Sequence, residues 1–391
     1  MKQNLTRSAD VELFNHFSKY KEILVLLGAR QVGKTTELQK LFPDAQYFSV
    51  DNDSIKSALE RYDISSYRQL FPRTDHMIVL DEIHQLSDPG RAAKILYDHI
   101  PGIQLILTGS SAFTIRRRTG ESLAGRKIDY HLYPLTFSEY LVQQGITPEL
   151  SIHSLMQLLG EAVPDERVVP FDRQGILETV LRYGTYPAML SHPVDGRYLT
   201  TLLDSVIFRD ILDMQLIDNK EAARDLLKLL AYQIGQTVNI SELAMKLGIS
   251  ANTVKRYISI FEQSFIIFTV PPYTRSQRRE IGKMPKIYFW DIGLRNAVID
   301  AFQPIRGRGD RGQLFENFLV AEWKKLNEYG HLGWTFHYWR TVQGAEVDCV
   351  MTRGDALVGI EIKYSGGKMN RAFCSRYPQA QTQVITAKNF Y

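Results

Sequence analysis

Residues 28–36 read GARQVGKTT and constrain the fold of this chain more than any other stretch. They follow an apolar, β-rich stretch, Ile23 to Leu27, and precede a helical pattern. This is the strand–loop–helix context that a G-x-x-x-x-G-K-T phosphate-binding loop requires. Glycines let successive backbone N–H groups turn toward phosphate oxygens at the N-terminus of the helix, where a partial positive charge favours anions. The sequence therefore predicts an α/β domain that binds a nucleotide at this loop.

The residues of the loop have separate predicted roles. Lys34 supplies a positive charge to the outer phosphates, and the Thr35 hydroxyl ligates Mg²⁺. ATP and Mg²⁺ are therefore the predicted cofactors. The remaining predicted cofactor contacts within the loop are Gly28, Gln31, Val32, Gly33 and Thr36.

A second apolar strand, HMIVLDEIHQL, ends in the acid pair Asp81 and Glu82. A buried parallel strand can deliver one acid to the water shell of Mg²⁺ and a second acid to the attacking water. The pair follows the loop by about 45 residues, and it predicts ATP hydrolysis with Glu82 as the catalytic base. His84 is interpreted as a polar surface residue without a role.

Two further positions carry open alternatives. The strand IQLILTGSSAF ends in Thr108 to Ser111, where a hydroxyl could hold the lytic water or sense the γ-phosphate. A Ser-rich turn that caps a helix is the other interpretation.

Arg126 follows a small-residue bend and precedes a strand in ESLAGRKIDYHLYPLTFSEYL. It could reach the nucleotide of a neighbouring subunit as a trans-acting finger, or it could be a surface charge.

Length and composition limit the number of domains and the classes of protein that this chain can belong to. A chain of 391 residues with 44% hydrophobic and 23% charged residues is expected to form two or three domains and to be folded nearly throughout. The net charge of +4 permits nucleic-acid contact without requiring it. Two cysteines, Cys349 and Cys374, cannot form a disulfide framework or a zinc site. No apolar run reaches the roughly 18 residues of a membrane span, and the first residues lack a signal peptide's apolar core, so a cytoplasmic location without a membrane partner is expected.

These motifs together resemble the bacterial and archaeal AAA-type ATPases whose C-terminal half is the domain of unknown function 4143. Later segments continue the resemblance in order and extend it over almost the whole chain: YGTYPAML, FRDIL, FWDIGLRN, GQLFENFLVAE, YWRTVQGAEVDCVM and GIEIKYS. The resemblance implies an AAA-type P-loop core (1–140), a helical lid (141–220), a winged helix-turn-helix (221–284) and a PD-(D/E)XK nuclease-like, restriction-endonuclease-like α/β domain (285–391).

The resemblance also implies roles for single residues. Arg126 occupies the LAGR position of the family. The segment from Gly184 to Pro187 resembles a lid element that contacts nucleotide, although Thr185 stands where a second glycine is common. A simple helix start is the alternative for Pro187.

Residues 236–270 predict a helix-turn-helix followed by a β-rich wing. Ser241 is expected to cap the first helix, and the second helix is expected to begin at Asn252. Residues at its front would meet phosphates and base edges: Asn252, Thr253, Lys255 and Arg256. Nearby basic clusters could touch phosphates or could be solvated loops: Arg275, Arg278, Arg279 and Lys283, and the connector from Arg306 to Gly312. Winged helices also pack against proteins, so DNA and a protein partner both stay open.

The tail carries a second set of charged residues. After the amphipathic helix GQLFENFLVAEWKK, the segments TFHYWR, AEVDCVM and LVGIEIKYS alternate as strands. Glu361 and Lys363 are two residues apart and so share a face with Asp348. A carboxylate on one strand and E-x-K on the next form the active constellation of PD-(D/E)XK nucleases. Asp348 and Glu361 would hold Mg²⁺, Lys363 would orient or activate water, and Glu316 would approach from the helix. The alternative is a nuclease-like scaffold whose charges pair with one another.

The predicted function is ATP hydrolysis by an AAA-type ATPase that couples nucleotide state to DNA binding or DNA processing and works as a homo-oligomer. The alternative is an ATP-dependent signalling or defence switch that binds a protein partner and has a non-catalytic nuclease-like scaffold.

Overall fold

The computed structural model describes residues 6–72, 77–109, 123–147, 149–150, 155, 159, 171–204, 217–274 and 284–391. The chain divides into two compact units. The first comprises residues up to Tyr133 together with 263–265, and the second comprises the remainder.

The first unit is built on a five-stranded parallel sheet with the spatial order β2–β3–β4–β1–β5. Its strands are β1 (Ile23–Leu27), β2 (Gln46–Ser49), β3 (Met77–Asp81), β4 (Gln104–Gly109) and β5 (Lys127–His131). All residues of β1 are buried, as expected for a central parallel strand covered on both faces. The carboxyl ends of β1, β3 and β4 lie at one edge of the sheet, because all pairs are parallel. This confirms the predicted α/β core.

Six helices of this unit lie in the described part of the chain: α1 (Asp10–Phe14), α2 (His16–Lys19), α3 (Lys34–Leu41), α4 (Asp53–Leu59), α5 (Ile64–Leu70) and α6 (Pro89–His99). Polar side chains fix where three of them begin. Asn52 caps α4, Asp63 caps α5, and Asp88 caps α6, whose first residue is Pro89.

The second unit contains helices and two small sheets. Its described helices are α7 (Phe137–Gln143), α8 (Arg173–Tyr183), α9 (Ala188–Ser191), α10 (Gly196–Leu202), α11 (Lys220–Tyr232), α12 (Ile240–Leu247), α13 (Ala251–Gln263), α14 (Ile292–Val298), α15 (Arg311–Tyr329) and α16 (Arg371–Arg376). An antiparallel pair consists of β6 (Ile267–Val270) and β7 (Lys286–Phe289). A four-stranded sheet has the order β11–β10–β9–β8, formed by β8 (Thr335–Arg340), β9 (Glu346–Arg353), β10 (Ala356–Ile362) and β11 (Gln381–Ile385). This additional C-terminal sheet was also predicted.

Helices α12 and α13 form the predicted helix-turn-helix, and the pair β6–β7 follows them. The tight turn contains Gly248 with φ +64°. The prediction that Ser241 caps α12 was wrong. The cap is Asn239, whose side-chain oxygen accepts from the N–H groups of Ser241 and Glu242, so Ser241 lies inside the first turn. Helix α13 begins at Ala251, one residue before the predicted start.

Several predicted features lie outside the described residues, namely the basic wing residues Arg275, Arg278, Arg279 and Lys283, and the FRDIL segment 208–212. The division into four domains stays a prediction. Within the described ranges, no helix is both long enough and apolar enough to cross a membrane.

Candidate functional sites

The loop of residues 28–33 connects β1 to α3 at the carboxyl edge of the parallel sheet. Its backbone requires glycine at two points. A Cβ at residue 28 would lie 2.2 Å from the Leu132 carbonyl oxygen, and Gly33 has φ +96° at the N-cap of α3. Gln31 also has a positive φ, 60°, which costs energy for a residue with a side chain. The loop is therefore held in a conformation that only this sequence pattern tolerates well.

Side chains at the start of α3 point back to the loop and across to β3. The Lys34 ammonium is buried and donates to the carbonyl oxygens of Gly28 at 3.0 Å and Ala29 at 2.9 Å. The Thr35 hydroxyl donates to Oδ2 of Asp81 at 2.7 Å. The structure thus brings the two residues predicted to serve Mg²⁺ into direct contact. A hydroxyl and a carboxylate are the oxygen donors that Mg²⁺ prefers, so this end of the site fits the predicted cofactors.

The acid pair is completed by a histidine that sequence reasoning had left without a role. Glu82 has φ 55°, and Nδ1 of His84 lies 3.1 Å from its Oε2. Burial would raise the pKa of Glu82, but the contact with His84 and the charge of Lys34 outweigh it, so the pKa lies below its usual value. A lowered pKa favours the ionised form of Glu82, which its predicted role as a catalytic base requires. The unusual turn that brings His84 back to Glu82 leaves no periodic signal in the sequence.

Asp81, the last residue of β3, is in a different electrostatic position. Burial raises the pKa of its carboxyl group, although the hydrogen bond from Thr35 acts in the opposite direction. Its other oxygen, Oδ1, accepts from the Glu82 N–H at 3.0 Å. The carboxylate is therefore oriented by two donors before any ligand binds.

Thr108 lies near the end of β4 and pairs in register with Leu26, two residues before the loop. Its side chain is fully buried, and its hydroxyl has no hydrogen-bond partner among the described residues. A buried hydroxyl without a partner is unfavourable. Its position at the carboxyl edge favours the interpretation in which Thr108 meets a ligand. Ser110 and Ser111 lie outside the described residues.

Arg126 lies at the opposite edge of the same sheet. Its carbonyl oxygen accepts from the N–H of Ile23, the first residue of β1, whereas the loop follows the last. At about 3.3 Å per residue, β1 separates the two points by roughly 13–16 Å. The guanidinium binds Asp98, with Nε 2.9 Å from Oδ1. The structure does not bring Arg126 to the loop of its own chain.

A second residue that sequence reasoning missed is Arg7. Its buried guanidinium donates to the carbonyl oxygens of Val32, at 3.0 Å, and of Tyr133, at 2.6 Å. It therefore holds the backbone of the loop from a distant segment of the chain. An isolated arginine before a short helix gives no sequence signal for such a contact.

The segment around Pro187 is anchored inside the second unit. Thr185 is buried, its N–H donates to Oδ2 of Asp291 at 2.7 Å, and its hydroxyl donates to the Leu135 carbonyl oxygen at 2.7 Å. Thr185 therefore makes a side-chain hydrogen bond that glycine at this position could not make. Pro187 precedes the short helix α9, and its contact with nucleotide stays a prediction.

The tail residues meet as the sequence indicated. The Lys363 ammonium lies 2.7 Å from Oδ2 of Asp348 and 2.9 Å from Oε2 of Glu361. The Ile362 N–H also donates to Oδ2 of Asp348, at 2.8 Å. Burial raises the pKa of Glu361 to about 7, and the hydrogen bond from Lys363 acts in the opposite direction.

Glu316 has partners that were not predicted. Its Oε1 accepts from the Lys286 ammonium at 3.0 Å and from the Tyr288 hydroxyl at 2.7 Å, both on β7. Lys286 also lies 2.6 Å from Oε1 of Glu346. Within the described residues, no group of three or more His, Cys, Asp or Glu side chains is arranged to hold a metal ion. Mg²⁺ at these carboxylates stays a prediction that the observed arrangement does not fit.

The parallel sheet and the loop at its carboxyl edge define a P-loop ATPase domain of the AAA type. Residues 20–141 match the family model of the AAA domain, residues 174–304 match a domain of unknown function, DUF8612, and residues 311–389 match a domain of unknown function, DUF4143. Two of these matches, to the AAA domain and to DUF4143, are the ones that the resemblance implied, and they confirm it.

Relatives extend along most of the chain. Uncharacterized protein MJ1637 of Methanocaldococcus jannaschii is 28% identical over 310 residues, which cover 71% of this chain and 62% of that relative. Uncharacterized protein Rv2008c of Mycobacterium tuberculosis is 23% identical over 350 residues, 87% of this chain and 70% of that relative. The chain therefore spans less than two thirds of the first relative.

Two solved structures are similar at low identity. The Walker-type ATPase paby2304 of Pyrococcus abyssi has a TM-score of 0.46 at 13% identity, covering 75% of this chain and 94% of that chain. The ADP form of the ORC2 protein of Aeropyrum pernix has a TM-score of 0.35 at 11% identity, covering 76% and 92%.

Proposed function

We propose that this chain binds ATP with Mg²⁺ at the 28–36 loop and hydrolyses it. The observation that carries the proposal is the contact between the Thr35 hydroxyl and Asp81 at 2.7 Å, next to the buried Lys34 and the second acid, Glu82. Thr35 and Asp81 would hold Mg²⁺, which when bound neutralises phosphate charge. Turnover of ATP by the purified chain tests this, and an inactive chain that also binds no nucleotide would contradict it.

Each residue of the site has a separate proposed role in hydrolysis. The Lys34 ammonium exchanges its two carbonyl partners for the outer phosphates, whose charge is a stronger attraction. Glu82 accepts a proton from the attacking water, and His84 orients its carboxylate. The Thr108 hydroxyl donates a hydrogen bond to the water or to the γ-phosphate, and its lack of a hydrogen-bond partner among the described residues supports this role.

Thr108→Val is expected to reduce ATP turnover by about 10²-fold, because one preorganised donor is lost. The free energy of unfolding should stay unchanged, since no described hydrogen bond is broken. Thr136→Val is the matched control: its buried hydroxyl accepts from the Glu139 N–H at 3.1 Å, so we expect a loss of about 1 kcal/mol of stability with turnover kept. Normal turnover in Thr108→Val would show that this hydroxyl has no role in hydrolysis.

We propose further that nucleotide state is coupled to DNA binding or DNA processing through α13. Asn252 and Lys255 at the front of this helix are exposed, as a recognition helix requires. ATP turnover should therefore respond to duplex, branched or single-stranded DNA. Indifference to every DNA, together with a protein that co-purifies, would favour the alternative of a switch that binds a protein partner.

One observation supports that alternative. Arg256, the residue of α13 best suited to phosphates or guanine, is bound to Asp218, and its guanidinium lies 5.4 Å from the centre of the Tyr257 ring. Both contacts compete with nucleic acid for the same group.

Assembly into a homo-oligomer is proposed from the position of Arg126. Because Arg126 lies a strand length from the loop of its own chain, any contact it makes with nucleotide is with that of a neighbour. Chains carrying Arg126→Ala and chains carrying Lys34→Ala should each be inactive, and mixing them should restore part of the turnover. Absence of rescue in chains shown to co-assemble, or full turnover by a monomer, would contradict a trans role.

A further inference from the structure

Six charged residues of the second unit form two clusters, each around one lysine. Lys286, on β7, pairs with Glu316 and Glu346, and Lys363 pairs with Asp348 and Glu361. We propose that both clusters work without a metal ion: the two ammonium groups take the place of a divalent cation, and Lys286 links β7 to the C-terminal domain. The inference is independent of ATP hydrolysis.

Lys286 is the residue on which the inference depends. It lies in the region matched by DUF8612, whereas its two carboxylate partners lie in the region matched by DUF4143. Its side chain is 1% exposed, and its ammonium lies 3.0 Å from Glu316 and 2.6 Å from Glu346. A cation is therefore already built into the site from another segment of the chain.

Two donors on β7 occupy one carboxylate oxygen of Glu316. The same oxygen, Oε1, accepts from both Lys286 and the Tyr288 hydroxyl. Lys286 and Tyr288 are two residues apart on β7, so they present one face of the strand to the glutamate. Oxygens that accept such short, charge-assisted bonds are poorly available as metal ligands.

The Lys286 ammonium is expected to stay paired with Glu316. Removing its ammonium would leave Glu316 as a buried charge without a counter-ion, which is strongly unfavourable. Lys363 differs, because its side chain is 42% exposed and could swing into solvent. The lysine that the nuclease pattern includes is thus the adjustable one, and Lys286, which lies outside that pattern, is the fixed one.

The inference narrows what the C-terminal domain can do. A divalent cation at these carboxylates would have to compete with Lys363 for Oδ2 of Asp348 and Oε2 of Glu361, and with Lys286 and Tyr288 for Oε1 of Glu316. We therefore expect the domain to bind partners or stabilise the chain, and not to cleave nucleic acid with a metal ion.

A titration of the nucleotide-free wild-type chain with Mn²⁺, followed by electron paramagnetic resonance, tests the inference, with Asp348→Asn as the comparison and circular dichroism to check that this variant is folded. We expect Asp348→Asn to bind the same amount of Mn²⁺ as the wild type. Bound Mn²⁺ in the wild type that disappears in Asp348→Asn would overturn the inference.

Thermal unfolding of charge variants tests the role of Lys286 directly. Lys286→Met should lower Tm, and the double variant Lys286→Met, Glu316→Gln should recover most of the loss because the unpaired charge is gone. Lys363→Met is the matched control and should lower Tm less, since the Lys363 side chain is itself 42% exposed and water can take the place of its ammonium. The proposed role of Lys286 would be overturned if Lys286→Met left Tm unchanged, or if the double variant had a Tm no higher than that of Lys286→Met. Should Lys286→Met not fold, Glu316→Gln alone is expected to fold and to lower Tm.

Discussion

Lys34→Ala is expected to abolish ATP binding or turnover, with turnover falling by at least about 10²-fold, while the fold is kept. The loop around Lys34 is already shaped by Gly28, Gly33 and the backbone contact of Arg7. Loss of the ammonium therefore leaves the outer phosphates without their counter-charge in an otherwise intact loop. Phosphate release and equilibrium binding of a fluorescent ATP analogue measure the two effects separately.

The control for this variant is Lys94→Ala, which removes an exposed lysine of α6 in the same unit. It should leave both binding and turnover unchanged, and circular dichroism should show the same fold for both variants. Near-normal turnover in Lys34→Ala would rule out the loop as the phosphate site.

Glu82→Gln is expected to differ from Lys34→Ala: ATP stays bound, and only hydrolysis falls, by about 10²–10⁴-fold. Glutamine has the shape of glutamate and can keep a contact with His84, whose Nδ1 lies 3.1 Å from the native carboxylate. It cannot accept the proton of the attacking water. Single-turnover hydrolysis and analogue binding on the same preparation measure the separation.

The comparison with Lys34→Ala decides whether Glu82 is the base. If ATP affinity collapses equally in both variants, Glu82 contributes to binding and another group activates the water. Unchanged turnover in Glu82→Gln would remove Glu82 from the mechanism.

The nucleotide site could largely be predicted from the sequence, because its parts are local. A strand, a glycine-rich loop and a helix are consecutive in the chain, Asp81 ends β3, and Thr108 is the penultimate residue of β4 in the same parallel sheet. Parallel pairing brings such strand ends to one edge whatever the loops between them do. For this reason Lys34, Thr35 and Asp81 could be placed together before the structure was known.

Contacts between distant segments could not be predicted in this way. Arg7 reaches Val32 and Tyr133, and Lys286 reaches Glu316 and Glu346. Each depends on how elements pack, which no local periodicity records. The tail's predicted metal ligands were found together, yet their charges are matched by lysines, one of which no pattern had indicated.

Two smaller differences have local causes. Asn239 and Ser241 are both good capping residues, and the choice between them depends on where the first helical residue falls. The role of His84 depends on the left-handed backbone at Glu82, φ 55°, which few residues other than glycine adopt and which composition does not predict.

Phosphate release from ATP by the purified wild-type chain in the presence of Mg²⁺ tests the proposed activity most directly, with binding of the ATP analogue measured on the same sample. We predict that the chain binds ATP, turns it over repeatedly, and loses turnover but not binding when Glu82 is replaced by glutamine. A folded chain that binds ATP but releases no phosphate, with or without DNA, would contradict an ATPase and leave only a nucleotide-binding protein.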